Sequence, residues 1–245
     1  MTTYADFYQR SISDRDAFWS EQAGLIDWKT KPSQVCDYQD PPFARWFVGG
    51  VTNLCHNAVD RHLASRADQP ALIAVSTETD QEQVYSFAQL HLEVQRMAAS
   101  MLALGVQKGD RVLIYMPMVA QAAFAMLACA RIGAIHCVVF GGFASGALAS
   151  RIEDASPKLV VSADAGSRSG KVVPYKPLLD EAIALSNHKP ETVLLVDRKL
   201  VPMDLVAGRD HLWDALRDKH MDAVVPCVWV ESTHPSYTLY TSGTT

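Results

Sequence analysis

From residue 59 onward the apolar positions fall into two alternating rhythms: short unbroken runs, and longer stretches in which they recur every three or four residues. The first long stretch opens at Ser86-Phe87-Ala88-Gln89, where a hydroxyl N-cap followed three residues on by Gln makes a capping box. Phe87, Leu90, Val94, Met97, Met101 and Leu104 then share one helical face, and Gly105 supplies the stop. The run at 111–116 reads as a buried strand; an Ala-rich helix at 119–132 follows and ends at Gly133. Further strands are expected at 135–140, 158–162, 192–196 and 236–240, with helices such as 147–155 and 178–186 between them. Strand, helix, strand in this order predicts an α/β fold, a mostly parallel sheet flanked by helices.

Residues 1–58 keep no steady period. A short helix is expected from an Asp14 cap through Phe18, Trp19 and Ala23, then Pro- and aromatic-rich sequence around Pro41-Pro42-Phe43 and Trp46-Phe47. The chain therefore divides into an irregular amino-terminal wrapping segment, 1–60, and a main α/β unit, 61–245, with Trp19, Trp28 and Trp46 packing the first on the second.

Composition narrows the chemistry. A net charge of -5 leaves no surplus of Lys and Arg for a phosphate backbone, so nucleic acid is not an expected partner and any anionic ligand must be held locally. The cysteines, Cys36, Cys55, Cys129, Cys137 and Cys227, contain no Cys-x-x-Cys, and the histidines are scattered, so neither a disulfide framework nor a metal site is expected. Cys137 beside His136 reads as core, since adjacent strand residues face opposite ways. Met116, Met118 and Met126 read as core filling. Residues 1–10 lack the basic start and apolar run of a signal peptide, and the apolar stretch 119–130 is shorter than the ~20 residues a bilayer requires. A cytoplasmic protein acting on small molecules, without a membrane partner, is the expectation.

In open parallel sheets, ligands bind beyond the carboxyl ends of the strands, and three loops there carry chemistry. In the last, Thr241, Ser242, Gly243, Thr244 and Thr245 offer backbone and hydroxyl donors to a polyphosphate, without the Gly-Lys-Ser/Thr of a Walker A loop; the same composition also makes an ordinary turn. Phe140-Gly141-Gly142-Phe143 suits either a ligand shelf or a tight strand-to-helix turn. In the loop 163–171, Arg168 and Lys171 are either anion ligands or exposed cations.

Together these motifs carry a resemblance. Tyr240-Thr241-Ser242-Gly243-Thr244-Thr245 resembles the first half of the T-S-G-T-T-G-x-P-K-G signature of the adenylate-forming enzymes. Trp46-Phe47-Val48-Gly49-Gly50 with Asn53 and Asn57-Ala58-Val59-Asp60-Arg61, and Val138-Val139-Phe140-Gly141-Gly142-Phe143, resemble the short-chain branch, the acetyl- and propionyl-CoA synthetases. Ser162-Ala163-Asp164-Ala165-Gly166, followed by Arg168, Lys171 and Val173-Pro174-Tyr175-Lys176, is similar to the propionyl-type CoA-binding loop; acetyl-type loops more often place Glu at Ala165 and Arg at Lys171. The likeness runs from Tyr4 to Thr245.

The resemblance implies the first part of an adenylate-forming domain, truncated within its ATP-phosphate loop, and so a piece expected to be incomplete and inactive alone. It implies that Phe140, Gly141 and Gly142 lie against the adenine end of coenzyme A, that Arg168 holds its 3′-phosphate and Lys171 a second phosphate contact, and that residues 241–245 cradle the β- and γ-phosphates of ATP with its Mg2+. The implied reaction joins propionate, ATP and CoA into propionyl-CoA, AMP and pyrophosphate through acyl-AMP, with no catalytic residue in this chain. An acetyl-CoA synthetase and a non-enzymatic nucleotide-binding module are the alternatives. A Rossmann dehydrogenase is disfavoured by the lack of Gly-x-Gly-x-x-Gly after any strand.

Overall fold

A computed structural model describes residues 3–168 and 170–241 of the chain. Six strands form one parallel sheet: β1 (Arg111–Met116), β2 (Ile135–Phe140), β3 (Leu159–Ala163), β4 (Thr192–Val196), β5 (Asp210–Leu212) and β6 (Tyr237–Thr238). Their spatial order is β5-β4-β3-β1-β2-β6. A central strand between two helical layers has to be apolar on both sides, which is why β1 reads as a continuous run. Val112, Ile114 and Met116 enter one core with α1 (Phe87–Ala103), α2 (Ala120–Ile132) and α5 (Trp213–Lys219). Leu113 and Tyr115 enter the opposite core with α3 (Ser145–Ala155) and α4 (Tyr175–Leu185). Each fully buried aliphatic side chain in these layers contributes about 1.5–3 kcal/mol relative to leaving it in water.

Local signals act where the pattern places them. Ser86 Oγ accepts from the Gln89 amide and Gln89 Oε1 from the Ser86 amide, so the capping box starts α1 one residue on. Gly133, at φ 73°, takes the left-handed conformation that closes α2.

The structure departs from the sequence pattern in four places. The amino-terminal segment is more regular than expected: helices Tyr4–Ser13 and Arg15–Ala23 precede an antiparallel hairpin of Gln34–Asp40 with Phe43–Val48. Its aromatics pack largely on one another, Trp19 against Trp46 at 6.0 Å and Trp28 against Phe47 at 5.7 Å between ring centroids. A second hairpin, Pro70–Ser76 with Gln81–Ser86, leads into α1. The stretch after β3 is a hairpin too, Ala165–Arg168 with Lys171–Pro174, which the pattern does not show because Ala165, Gly166 and Ser167 carry no strand signature of their own. Met118 is 96% exposed and fills no core, since Pro117 ends β1 and turns the chain outward.

Candidate active-site cleft

β1 and β3 lie side by side, but the chain leaves β1 for β2 on one flank and β3 for β4 on the other. Such a reversal of strand order opens a crevice at the carboxyl ends, where no connection crosses. A cleft of 540 Å³ occupies this position, and its walls include Met118, Phe140, Gly142, Arg168, Arg198 and Tyr240.

Phe140, the last residue of β2, is 61% exposed, with its ring edge-on to Phe143 at 5.8 Å. The two glycines after it are required by close approach. A Cβ on Gly141 would run into the buried Tyr175 ring, with Cζ 2.8 Å away, and would lie 3.0 Å from the Met116 carbonyl oxygen. A Cβ on Gly142 would sit 2.5 Å from Phe140 Cε1 and 2.9 Å from Arg168 Nη1. Tyr175 also lies under Gly166, so one phenol wedges the Gly141 turn against the hairpin. Burial first, and the nearby Glu78 charge second, push its pKa up, so the wedge is a neutral hydroxyl.

Arg168 and Lys171 are directly paired across the hairpin, both exposed. Like charges opposed on adjacent strands destabilise a hairpin unless an anion sits between or beside them. The Arg168 guanidinium lies 5.7 Å from the Phe140 ring centroid, and its Nη1 donates to the Gly142 carbonyl at 3.3 Å. The structure therefore gathers Phe140, Gly142 and Arg168 on one wall, with Lys171 opposite Arg168.

What holds the hairpin came from outside the motif. Asp164 is fully buried, and its carboxylate accepts from the amides of Arg198, Leu200 and Val201, tying the loop after β4 to the hairpin base. Arg198 donates to the Ala165 carbonyl at 2.9 Å and pairs with Glu78, whose other oxygen accepts from the Ser167 amide at 2.7 Å. Glu78 comes from the turn between Pro70–Ser76 and Gln81–Ser86. Sequence reading missed Glu78, Arg198 and the wedging role of Tyr175.

Across the cleft, β6 delivers Tyr240 onto α3. Its hydroxyl donates to Asp154 at 2.7 Å, and the Arg151 guanidinium lies 5.2 Å from its ring centroid and 4.2 Å from that of Phe143. Thr241, the first residue of the Ser/Thr-rich loop, is exposed directly after it. Ser242, Gly243, Thr244 and Thr245 lie outside the described residues. No helix among the described residues is long and apolar enough to cross a membrane.

Comparison with known proteins identifies the family. The family model described as AMP-binding enzyme matches residues 59–245, and that described as Acetyl-coenzyme A synthetase N-terminus matches residues 4–58. The chain is 59% identical to a propionate–CoA ligase of Salmonella typhimurium and 57% to one of Escherichia coli, each across 99% of this chain and 39% of the relative. It is 44% identical to an acetyl-coenzyme A synthetase of Streptomyces coelicolor, over 98% of this chain and 37% of that one. The solved acetoacetyl-CoA synthetase from Streptomyces lividans superposes with a TM-score of 0.88 at 27% identity, covering 99% of this chain and 37% of that structure. The chain thus spans about two fifths of the length of the curated relatives it matches, and over that span it belongs to the AMP-binding enzyme family, among the adenylate-forming acyl-CoA synthetases.

Proposed function

We propose that this chain supplies the coenzyme A wall and the entry to the ATP-phosphate loop of an AMP-forming short-chain acyl-CoA synthetase, with propionate as the acid. The observation that carries the reading is the convergence, at one sheet rim of a net-acidic chain, of two opposed cations, a glycine shelf and the strand that runs into residues 241–245. Propionate is supported by likeness to propionate–CoA ligases over nearly the whole chain.

In this reading the glycines of 141–142 admit a ligand to the backbone, and the exposed Phe140 ring offers a face to adenine. Arg168 gives the 3′-phosphate of CoA a permanent charge and paired donors, and Lys171 adds a point charge beside it. Thr241 leads the hydroxyl-rich loop, Ser242, Gly243, Thr244 and Thr245, that cradles the β- and γ-phosphates of ATP with its Mg2+. The carboxylate attacks the α-phosphate, a P–O bond breaks, and pyrophosphate leaves; the CoA sulfur then attacks the acyl carbon and AMP leaves. Positioning and charge neutralisation are the contributions expected of these residues, since they offer donors and cations and no base.

The test is carboxylate-dependent ATP–pyrophosphate exchange by the complete protein carrying this sequence, with thioester formation measured beside it. Propionate is expected to support exchange better than acetate, and no exchange with any short carboxylate would overturn the assignment. Arg168→Ala should leave exchange near wild type and raise the KM for CoA by roughly ten- to a hundredfold. That is the range expected for one charge-assisted contact of about 1.5–3 kcal/mol.

A further inference from the structure

Far from the cleft, behind the C-terminal turn of α2, two cysteines from distant parts of the chain meet in a charged pocket. Cys55 lies on the short helix Leu54–Ala58 and is fully buried; Cys227 lies in the segment between α5 and β6 and is partly exposed. Their sulfurs and the Asp60 carboxylate fall within 4.8 Å of one another. Arg131, from α2, donates to both oxygens of Asp60 at 2.8 Å and to Cys55 Sγ at 3.4 Å.

This arrangement is held from several sides. Arg131 Nε donates to the Val225 carbonyl, the Val228 amide to the Arg131 carbonyl at 2.7 Å, and Asn53 Nδ2 to the Val228 carbonyl at 2.8 Å. Cys227 is therefore fixed next to Cys55, with one side toward solvent. From this juxtaposition we propose that Cys55 and Cys227 form a reversible dithiol–disulfide pair that reacts with small oxidants, peroxide or a low-molecular-weight disulfide, and locks the amino-terminal segment to the strap that leads into β6.

The charges assign the roles. Both thiols reach the same carboxylate, Cys55 Sγ to Asp60 Oδ2 at 3.8 Å and Cys227 Sγ to Asp60 Oδ1 at 3.9 Å; the neighbouring Cys55 thiol pulls Cys227 below its ordinary pKa, and Arg131 adds to this, against burial and the Asp60 charge. The nearby Cys227 sulfur, then burial, pushes Cys55 up, so Cys227 is the more readily ionised of the two. With peroxide, the Cys227 thiolate attacks one oxygen, the O–O bond breaks, and water leaves once the hydroxide is protonated. The Cys55 sulfur then attacks the Cys227 sulfenic sulfur, the S–S bond forms as the S–O bond breaks, and the hydroxyl leaves with the Cys55 proton as a second water. Two thiols thereby lose two electrons and two protons, which peroxide takes up.

A metal ion is the competing occupant of these three donors. Both Asp60 oxygens already face a guanidinium, so the cluster's positive charge is supplied by the chain itself. The remaining three thiols are placed differently: Cys36 is buried in the amino-terminal hairpin, Cys129 is fully buried with Met101 Sδ at 3.9 Å, and burial pushes Cys137 up to about 11.

The experiment is peptide mapping of the complete protein after graded peroxide or diamide treatment and alkylation of the remaining thiols. A Cys55–Cys227 cross-linked peptide, reversed by dithiothreitol, is expected before oxidation of Cys129 or Cys137. A higher unfolding midpoint for the oxidised form is expected as well, and the rise should vanish in Cys227→Ser. In Cys55→Ser, Cys227 should accumulate as the sulfenic acid under peroxide and as a mixed disulfide when a low-molecular-weight disulfide is supplied. Absence of the cross-link while the untreated protein stays folded would overturn the proposal. Stoichiometric zinc retained through gel filtration, with the thiols protected from oxidant, would overturn it too. Mapping of the wild-type protein needs no variant, so a variant that fails to fold leaves the test intact.

Discussion

Two adjacent glycines have different tasks, and their neighbours say so. A methyl on Gly142 meets the Phe140 ring and the Arg168 guanidinium, both exposed and free to swing away, so stability should change by less than ~1 kcal/mol. A methyl on Gly141 meets the buried Tyr175 ring and a β1 carbonyl, neither of which can withdraw, so overpacking should cost about 1–3 kcal/mol. Chemical denaturation of Gly141→Ala and Gly142→Ala, with the KM for CoA measured on each complete protein, checks the contrast. Gly142→Ala should raise that KM without a stability change; equal stability losses in both would refute the distinction. By residue type alone, Arg168 and Lys171 read as ordinary exposed charges and the two glycines as a tight turn; all four were singled out through the motifs that carry the family resemblance. Glu78 and Arg198 were not, since each reaches the hairpin from a remote stretch of the chain and looks like an ordinary surface charge in its own.

At the scale of elements, strands and helices with strong periodicity were readable, and those built from small or aromatic residues were not. β1 and β4 carry unbroken apolar runs because both their faces are covered, and β2 buries Cys137 and Val139 on one face while Val138 and Phe140 stay exposed on the other, whereas Ala165–Arg168 becomes a strand only through its partner and its ties to Glu78 and Arg198. Helix Tyr4–Ser13 does carry an apolar stripe, Tyr4, Phe7, Tyr8 and Ile12, but only over one short helix inside an otherwise irregular stretch, and it buries none of its residues; a Thr3–Asp6 capping box and the Phe7–Phe18 edge contact at 4.7 Å hold it instead. Asn53 shows how one side chain joins three such elements. Fully buried, it caps Leu54–Ala58 by accepting from the His56 amide, and donates to the carbonyls of Ala130 in α2 and Val228 in the strap. Asn53→Ala leaves those carbonyls buried without the amide donor, and should destabilise by about 2–4 kcal/mol in urea titration. A loss under ~0.5 kcal/mol would mean that water replaces the amide and that the junction is not set by this residue.

For the whole molecule, the layer of α3 and α4 is closed by a charge whose acid dependence can be worked out. Glu153, on α3, accepts from the Ser186 hydroxyl and from the amides of Asn187 and His188, just past α4. These bonds, the His188 amide foremost, lower its pKa from 4.5 to about 2. At the other layer, burial raises the Asp60 carboxyl, but hydrogen bonds from His91 and Arg131 outweigh it and hold the group well below its ordinary 3.8. Both groups bind protons more readily in the unfolded chain, so their contribution is full above the unfolded values and fades as pH falls through the folded ones. Stability should therefore drop between about pH 4.5 and 2, with Glu153 acting on the α3–α4 layer and Asp60 on the Arg131 junction. Melting curves of the complete protein across that range, compared with Glu153→Gln, read this out. The variant should start less stable at neutral pH and lose less on acidification, because its amide has no proton to gain. A parallel decline in both proteins would place the acid-sensitive contact elsewhere and leave the α3–α4 closure to apolar packing alone.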